Sequence, residues 1–560
     1  MQEIKQRLAK NSRIPYFKQK GEPYIFATAL GLVVSLAMVI FIFIVILTKG
    51  LGFFWPRDLY EITLPSGKKQ LGEIWEKRTR FKQLADGKEK KLEEFQLKIG
   101  NRDLYGHDFI WISEDQIQSK IQPEFATVIE RMEYGNFYGF IQAVNIDSLV
   151  IQENEEAIYT AAHKALKISR EVEQQISLTE HQLNDLTDPL SRLDREISLL
   201  QISPEKDTPQ GAKKLQQLQR QVDSLEAAIA DEYARLENHL SSLYQQRNSL
   251  YLAMQTADGK TKHILLADIV RFYQPNRMTT PQKIRHYLAK LWEFISENPR
   301  ESNTEGGVFP AIFGTVLMVL LMSIAVVPFG VLAAIYLNEY APQGKVVRLI
   351  RLSVNNLAGV PSIVYGVFGL GFFIYMVGGS IDQLFFSQKL PEPTFGTGGI
   401  LWASLTLALL TLPVVVVATE EGILAVPRAN KEGALALGAT KWQMIRKIVI
   451  PNAMPGILTG LILAISRGAG EVAPLMITGV VKLAPSLPID GTFPFLHLDR
   501  KFMHLGFHIY DVGFQSPNVE AAKPMVYMTA LLLILIVVFL NVLAIYLRNQ
   551  LRKKYKMGAF

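Results

Sequence analysis

An uncharged apolar run from Ile25 to Leu47 narrows the folds open to this chain more than any other feature. About 20 such residues cross the hydrocarbon core of a bilayer. Five further runs read the same way: Phe309 to Leu337, Ser353 to Val377, Ile400 to Thr419, Ala453 to Val481 and Met525 to Leu547. The first run follows a basic start (Lys5, Arg7, Lys10, Arg13, Lys18, Lys20), as a secretory leader does. Its apolar core is too long for a leader, and no small-x-small cleavage site follows Leu47, so it reads as an uncleaved anchor.

The basic residues orient these spans. Short loops rich in Lys and Arg face the cytoplasm. The amino-terminal tail qualifies, as does the loop with Lys345, Arg348 and Arg351 and that with Arg428, Lys431, Lys441, Arg446 and Lys447. The carboxy-terminal tail, with Arg548, Arg552, Lys553, Lys554 and Lys556, completes the set. Counting through six spans puts all four on one side, with both termini in the cytoplasm. The net charge of +7 is thereby explained by topology and does not point to nucleic acid. The absence of cysteine excludes a disulfide framework, thiolate metal sites and a cysteine nucleophile.

This topology places a long polar segment outside the cytoplasm. The boundaries read from the sequence are a tail at 1–24, a first span at 25–48, an insertion at 49–305 and a core at 306–552, ending in a tail at 548–560. Within the insertion, Val172, Ile176, Leu183, Leu186, Leu190, Leu193, Ile197 and Leu200 step by four and three, broken once at Thr179. Leu215, Val222, Ile229, Leu236, Leu243 and Leu250 then recur every seventh position, the seam of supercoiled helices, with a decay at Glu232 and His239. The link from Ser203 to Gly211, with Pro204 and Pro209, reverses the chain. An antiparallel coiled-coil hairpin is expected at about 155–252, its two helices of roughly 35 residues making an arm on the order of 50 Å. Pro189 is expected to kink the outgoing helix. Turn dipeptides at Ser66-Gly67, Gly100-Asn101 and Asp258-Gly259 lie among β-prone runs. They predict a small β-rich base, at 57–150 and 251–275, from which the arm projects.

Two charges fall inside the fifth apolar run, Arg467 and Glu471. A charge at that depth costs about 2.5–3.5 kcal/mol, so such residues face a cavity or one another. Four residues apart on one helix they would pair. A structural ion pair within the helix accounts for the same spacing. Glu420 and Glu421 end the fourth run at its cytoplasmic edge and read as interfacial.

The cytoplasmic loop at 421–451 carries a more specific pattern. Glu432, Gly433 and Ala434 are followed by Gly438, and then by Ile448, Ile450 and Pro451. This spacing resembles the EAA loop of ABC importer permeases, with Gly433 in place of the first Ala and Ile450 in place of Leu. Glu432 is expected near the start of a short helix, where a carboxylate suits the dipole, and Gly438 at a sharp turn. The segments AAIYLNEYAP (Ala333 to Pro342), NLAGVPSIVYGVFGL (Asn356 to Leu370), LPVVVVATEEGILAVP (Leu412 to Pro427) and SRGAGEVAPLMITG (Ser466 to Gly479) are similar to phosphate-transport permeases of the Pst system, and closer to the PstA-type subunit than to its PstC-type partner.

The resemblance implies an α-helical membrane protein of the type I ABC importer permease kind in a bacterial inner membrane. The implied partners are a second, PstC-type permease subunit, two cytoplasmic PstB-type ATPase subunits and a periplasmic PstS-type phosphate-binding protein. ATP and Mg would be bound by the ATPase, leaving this chain a transport subunit without a cofactor. Glu432, Gly433, Ala434, Gly438 and Pro451 would couple to that ATPase. Arg467 and Glu471 would line the substrate pathway, since the planar guanidinium fork takes a phosphate through two charge-assisted hydrogen bonds. Another oxyanion (sulfate, molybdate, phosphonate) fits the same residues, and a membrane-anchored coiled-coil scaffold or sensor is the reading from a different class.

Other motifs carry less. Gly259-Lys260-Thr261 imitates the end of a Walker loop, but Met254 stands where that loop needs glycine. His504 and His508 have a metal-compatible spacing without a third ligand, so no metal is expected.

Overall fold

A computed structural model describes residues 22–83, 89–146, 149–152, 154–202, 208–516 and 519–556. The basic residues of the first 20 positions and the reversal at 203–207 lie outside these residues.

Among the described residues, six helices are long and apolar enough to cross a membrane. The first, α1 (Glu22–Leu51), runs into a single 3-10 turn at Gly52–Phe54. The insertion then forms two large antiparallel sheets, with a two-stranded ribbon of Pro299–Arg300 and Glu305–Gly306 at its end. Strands β1 (Leu59–Thr63), β2 (Lys69–Gln83), β3 (Glu89–Lys98), β4 (Phe109–Ser113) and β5 (Ser119–Ile121) make one, in the order β4-β3-β2-β1-β5. The second contains β6 (Thr127–Arg131), β7 (Phe137–Ile146), β8 (Leu149–Ile151), β9 (Tyr251–Gln255), β10 (Thr261–Leu265) and β11 (Ile269–Tyr273). Its order is β10-β9-β7-β6-β11, with β8 pairing the last residues of β7, beyond β6. Two of the sequence turns join hairpin strands: Gly67 and Gly259 sit at φ +77° and +87°, a region glycine enters without penalty. The third, Gly100-Asn101, clamps the sheets together, because the Asn101 amide donates to the Tyr138 carbonyl at 3.0 Å and accepts from the Tyr138 N–H at 2.8 Å.

The arm lies between β8 and β9 in the chain. Helices α2 (Glu155–Ile202) and α3 (Pro209–Ser249) have 48 and 41 residues, longer than the heptads alone indicate. The surplus in α2 has a different job. Ile158, Ala162, Ala165 and Leu166 pack on Val144, Leu252, Met254 and Phe272 of the sheet, and so follow no two-helix seam. Beyond them the helices run antiparallel: Arg247 pairs with Glu173 at 2.9 Å, Tyr244 donates to Glu180 at 2.7 Å, and Lys214 meets Glu196 at 2.9 Å. Thr179, where the heptad breaks, is 4% exposed, and its hydroxyl donates to the Gln175 carbonyl at 2.8 Å. A polar residue fills the seam because its own helix satisfies it. Pro189 lies within α2, whose helix continues on either side of it.

Helix α4 (Thr280–Ser296) leads back to the membrane, where α5 (Phe309–Ile335) forms the second span. A short helix, α6 (Lys345–Leu357), precedes the third span, α7 (Ser362–Phe385). The expected run from Ser353 to Val377 is therefore divided: Ser353 to Leu357 belong to α6, and the chain turns through Gly359 and Pro361 before re-entering a helix. The residue before proline is driven from the helical region, which gives the division its cause. The fourth span is α8 (Ile400–Leu424), the most enclosed of the six. Helix α9 (Arg428–Ala436) and the fifth span, α10 (Lys441–Gly468), follow. A six-residue helix, α11 (Ala473–Thr478), then precedes α12 (Leu505–Tyr510) and the last span, α13 (Val519–Lys556).

The fifth span also departs from expectation. It begins twelve residues earlier than Ala453 and ends at Gly468 rather than Val481. Gly468 and Gly470 withdraw helix propensity, and Pro474 fits only near the start of a new helix. Packing around the break is close. A Cβ on Gly468 would meet the Met322 sulfur of α5 at 2.5 Å, and one on Gly366 of α7 would meet the Pro474 backbone at 2.8 Å.

Candidate functional site

The break between α10 and α11 positions both intramembrane charges. Arg467 occupies the last turn of α10 and Glu471 stands beyond the helix end, so the two do not share a continuous helix face as their spacing suggested. The Arg467 Nε lies 3.9 Å from Glu471 Oε1, an attraction too long to be a hydrogen bond. Their side chains are 32% and 25% exposed. The preceding turn is held to the last span, where the Asn541 amide donates to the Ser466 hydroxyl at 2.7 Å.

Sequence reasoning missed a third group here. His504 caps α12, its Nδ1 accepting from the Gly506 N–H at 3.1 Å. That bond assigns the proton to Nε2. The ring is fully buried and in reach of the Ala469 backbone, inside the break. The next residue is fastened too: the Leu505 N–H donates to Thr315 Oγ1 of α5 at 2.9 Å. One turn on, His508 is also buried, beside Asp511, whose carboxylate takes the Asn303 amide at 3.1 Å and lies 3.4 Å from Lys482. Burial pushes the pKa of each imidazole down to about 4. No spacing in the sequence links position 504 to 469; the contact arises because α12 folds back over the break. Among the described residues no cluster of three metal-ligating side chains forms.

At the opposite end of α10 lies the Glu432 loop. Helix α9 starts directly after Pro427, which places Glu432 at its middle and not near its start, so the dipole argument does not apply. Glu432 and Gly433 face outward, while Ala434 packs towards Met444, Ile445 and Val449. Gly438 makes the turn at φ +85° with open space around it. Thr440 and Gln443 then form a capping box: the Gln443 N–H donates to Thr440 Oγ1 at 3.2 Å and the Gln443 side chain accepts from the Thr440 N–H at 2.9 Å. From Lys441 the helix continues through a π turn at Ile445–Val449 into α10 proper, with Pro451 inside it. Leu437 (91% exposed) and Trp442 (52%) project from this end.

Polar contacts tie the loop to its neighbours. Lys431 reaches Glu339 at 2.6 Å. Glu420, within α8, accepts from Arg351 at 3.3 Å and from Asn338 at 3.2 Å. These bonds gather the basic loops at 345–351 and 428–447 on one end of the bundle. They also account for Glu420 as an interfacial tie away from the break.

Residues 326–555 match the family model described as a binding-protein-dependent transport system inner membrane component. The chain is 32% identical over 269 residues to a probable ABC transporter permease protein, YqgI, of Bacillus subtilis, covering 47% of this chain and 85% of that one. It is 33% identical over 251 residues to the phosphate transport system permease protein PstA of Yersinia pestis, covering 45% and 75%. Among solved structures, the inward-facing MetNI methionine ABC transporter aligns with 50% of this chain and 99% of its own at 18% identity, with a TM-score of 0.30. With 85% of the Bacillus subtilis permease covered at 32% identity and the family model matched over residues 326–555, the chain belongs to the family of binding-protein-dependent transport system inner membrane components.

Proposed function

We propose that this chain is the PstA-type permease subunit of an ATP-driven importer that moves inorganic phosphate across the inner membrane. The observation that carries the substrate is Arg467, held at a break in a span by packing on both sides and not hydrogen-bonded to Glu471. A guanidinium in that state keeps its donor fork for a tetrahedral oxyanion, while Glu471 limits how tightly an anion is retained. Relatives named as phosphate permeases, in Yersinia pestis and in Methanocaldococcus jannaschii at 33% identity over 221 residues, favour phosphate over sulfate, molybdate or phosphonate.

The remaining parts follow from this reading. A second, PstC-type permease subunit completes the pore, and a PstS-type binding protein delivers the anion. Two PstB-type ATPases bind ATP and Mg and take hold of the outward face of α9, with Glu432, Gly433, Ala434, Gly438 and Pro451 carrying their closure into α10. The basic end of the bundle faces the cytoplasm and the two-sheet domain with its arm stands in the periplasm.

Uptake of radiolabelled phosphate into cells lacking their own phosphate importer tests the proposal. The chain is expressed with its three partner types, with sulfate and molybdate as competitors. ATP-dependent uptake that resists both competitors and vanishes with Arg467→Ala is expected. Displacement by sulfate or molybdate reassigns the substrate, and failure to assemble with an ATPase removes the transport reading.

A further inference from the structure

Helix α4 is amphipathic in the wrong sense for a surface helix. Such helices bury their apolar stripe and leave charge outside. Here the charged side is inward: Glu293 is 3% exposed and pairs with Arg271, Arg300 and Lys290, Lys290 also reaches Glu130, and Lys283 pairs with Asp58. The outward side carries Ile284 (46% exposed), Leu288 (58%), Trp292 (71%) and Ile295 (42%). At 100° per residue these four positions fall on a single stripe. The inward side is taken by these ion pairs and by the buried Phe294, so the stripe faces away from the chain's own core.

The position of α4 identifies what covers it. Its last carbonyls accept from the first residues of the second span: Val308 N–H donates to Phe294 at 2.8 Å and Phe309 N–H to Glu297 at 3.1 Å. Phe294, fully buried, packs on Phe54 at the end of the first span with ring centroids 5.5 Å apart. Trp55, just past that span, stands 6.0 Å from Tyr287 of α4. Helix α4 is thus fastened to the ends of two membrane helices, and Trp55, Tyr287 and Trp292 are the kind of aromatic set found where hydrocarbon meets headgroups.

We infer that α4 is an in-plane anchor lying in the outer lipid headgroup boundary, with Ile284, Leu288, Trp292 and Ile295 in the acyl region. The ion pairs on its other face then hold the β sheets, and with them the arm, at a set height over the bilayer. This inference does not depend on the substrate.

The chain has no cysteine, so single labels can be placed without background. Leu288→Cys and Trp292→Cys, with Ala289→Cys on the polar side as a reference, are spin-labelled in the full-length chain in phosphatidylethanolamine–phosphatidylglycerol vesicles. Collision with oxygen, which partitions into lipid, is compared with collision with a water-soluble nickel chelate. An oxygen-to-nickel ratio several-fold above that of position 289 is expected at both stripe positions. A ratio equal to that at 289 puts the stripe in water, and protection from both reagents puts it under protein; either overturns the inference. Should a cysteine variant misfold, quenching of the native protein by acyl-brominated lipid replaces it. A quenched component absent in Trp292→Phe supports the anchor, and unchanged quenching refutes it.

Discussion

Arg467 and Glu471 face each other at 3.9 Å across the point where the fifth span stops being a helix. An attraction at that distance, partly exposed and without a hydrogen bond, leaves the arginine donors available. Conversion of Arg467 to Lys keeps the charge and removes the planar fork. Arg467→Lys is expected to lower phosphate uptake at least about tenfold, equivalent to about 1.4 kcal/mol, with assembly intact. Uptake within twofold of the native chain would show that a point charge suffices.

The two glycines of the Glu432 loop should respond in opposite directions. Gly438 has φ +85°, where a Cβ costs roughly 1–2 kcal/mol. Gly433 is helical, exposed and without neighbours within 4 Å, so Ala there gains up to about 1 kcal/mol of helix propensity. Thermal melts of the detergent-solubilised chain should place Gly433→Ala above, and Gly438→Ala below, the native protein. Equal melts would mean that the loop does not contribute to the measured transition.

The buried histidines predict acid sensitivity. An unfolded imidazole titrates near 6.5, and those of His504 and His508 titrate at about 4 in the fold. Between these values the unfolded chain binds more protons, so stability falls as pH falls. The contribution is fully present above about 6.5 and lost towards 4, at up to about 3 kcal/mol per histidine. Melting temperature followed from pH 7.5 to 4.5 should drop, and His504→Asn with His508→Phe should flatten the decline. Asp511 and Lys482 adjoin His508, so the double variant is compared with Asp511→Asn.

The outer part of the arm should be removable. Ile158, Ala162, Ala165, Leu166, Val172 and Ile176 tie the base of α2 to the sheet, whereas beyond it the helices are joined to each other, as by Lys214 and Glu196. Replacing residues 184–239 by a short Gly-Ser link is expected to leave expression and melting temperature unchanged. A chain that no longer folds would show that the arm nucleates its base.

The spans were legible because their signal is local, apolarity over twenty positions, and the two long helices because an apolar residue recurs at every seventh position from Leu215 to Leu250. The interruptions were harder to see, since Ser353 to Leu357 lead directly into an apolar run and Ala469 to Val481 is apolar enough to extend a span by composition. What ends those helices is Gly359 with Pro361, and Gly468 with Gly470. Glu432 was assigned too near a helix start because helix α9 begins at Arg428, four residues earlier, directly after Pro427. His504 was visible only as half of a metal-like pair; its place beside Ala469 depends on a fold-back 35 residues downstream, and no local pattern encodes that. The reversed face of α4 escaped for the same reason, since its partners Asp58, Glu130 and Arg271 come from three separate strand regions.

The loop that turns at Gly438 and the site at Arg467 are two ends of one object. Lys441 to Gly468 is a single helix, roughly 40 Å long at 1.5 Å per residue, interrupted in character but not in continuity by the π turn at Ile445–Val449. Between its ends this helix passes through the π turn and the prolines at 451 and 455, the points where a long helix bends. The helix itself ends only at Gly468, one residue past the arginine, so any movement of the Thr440 end reaches Arg467 along helical backbone.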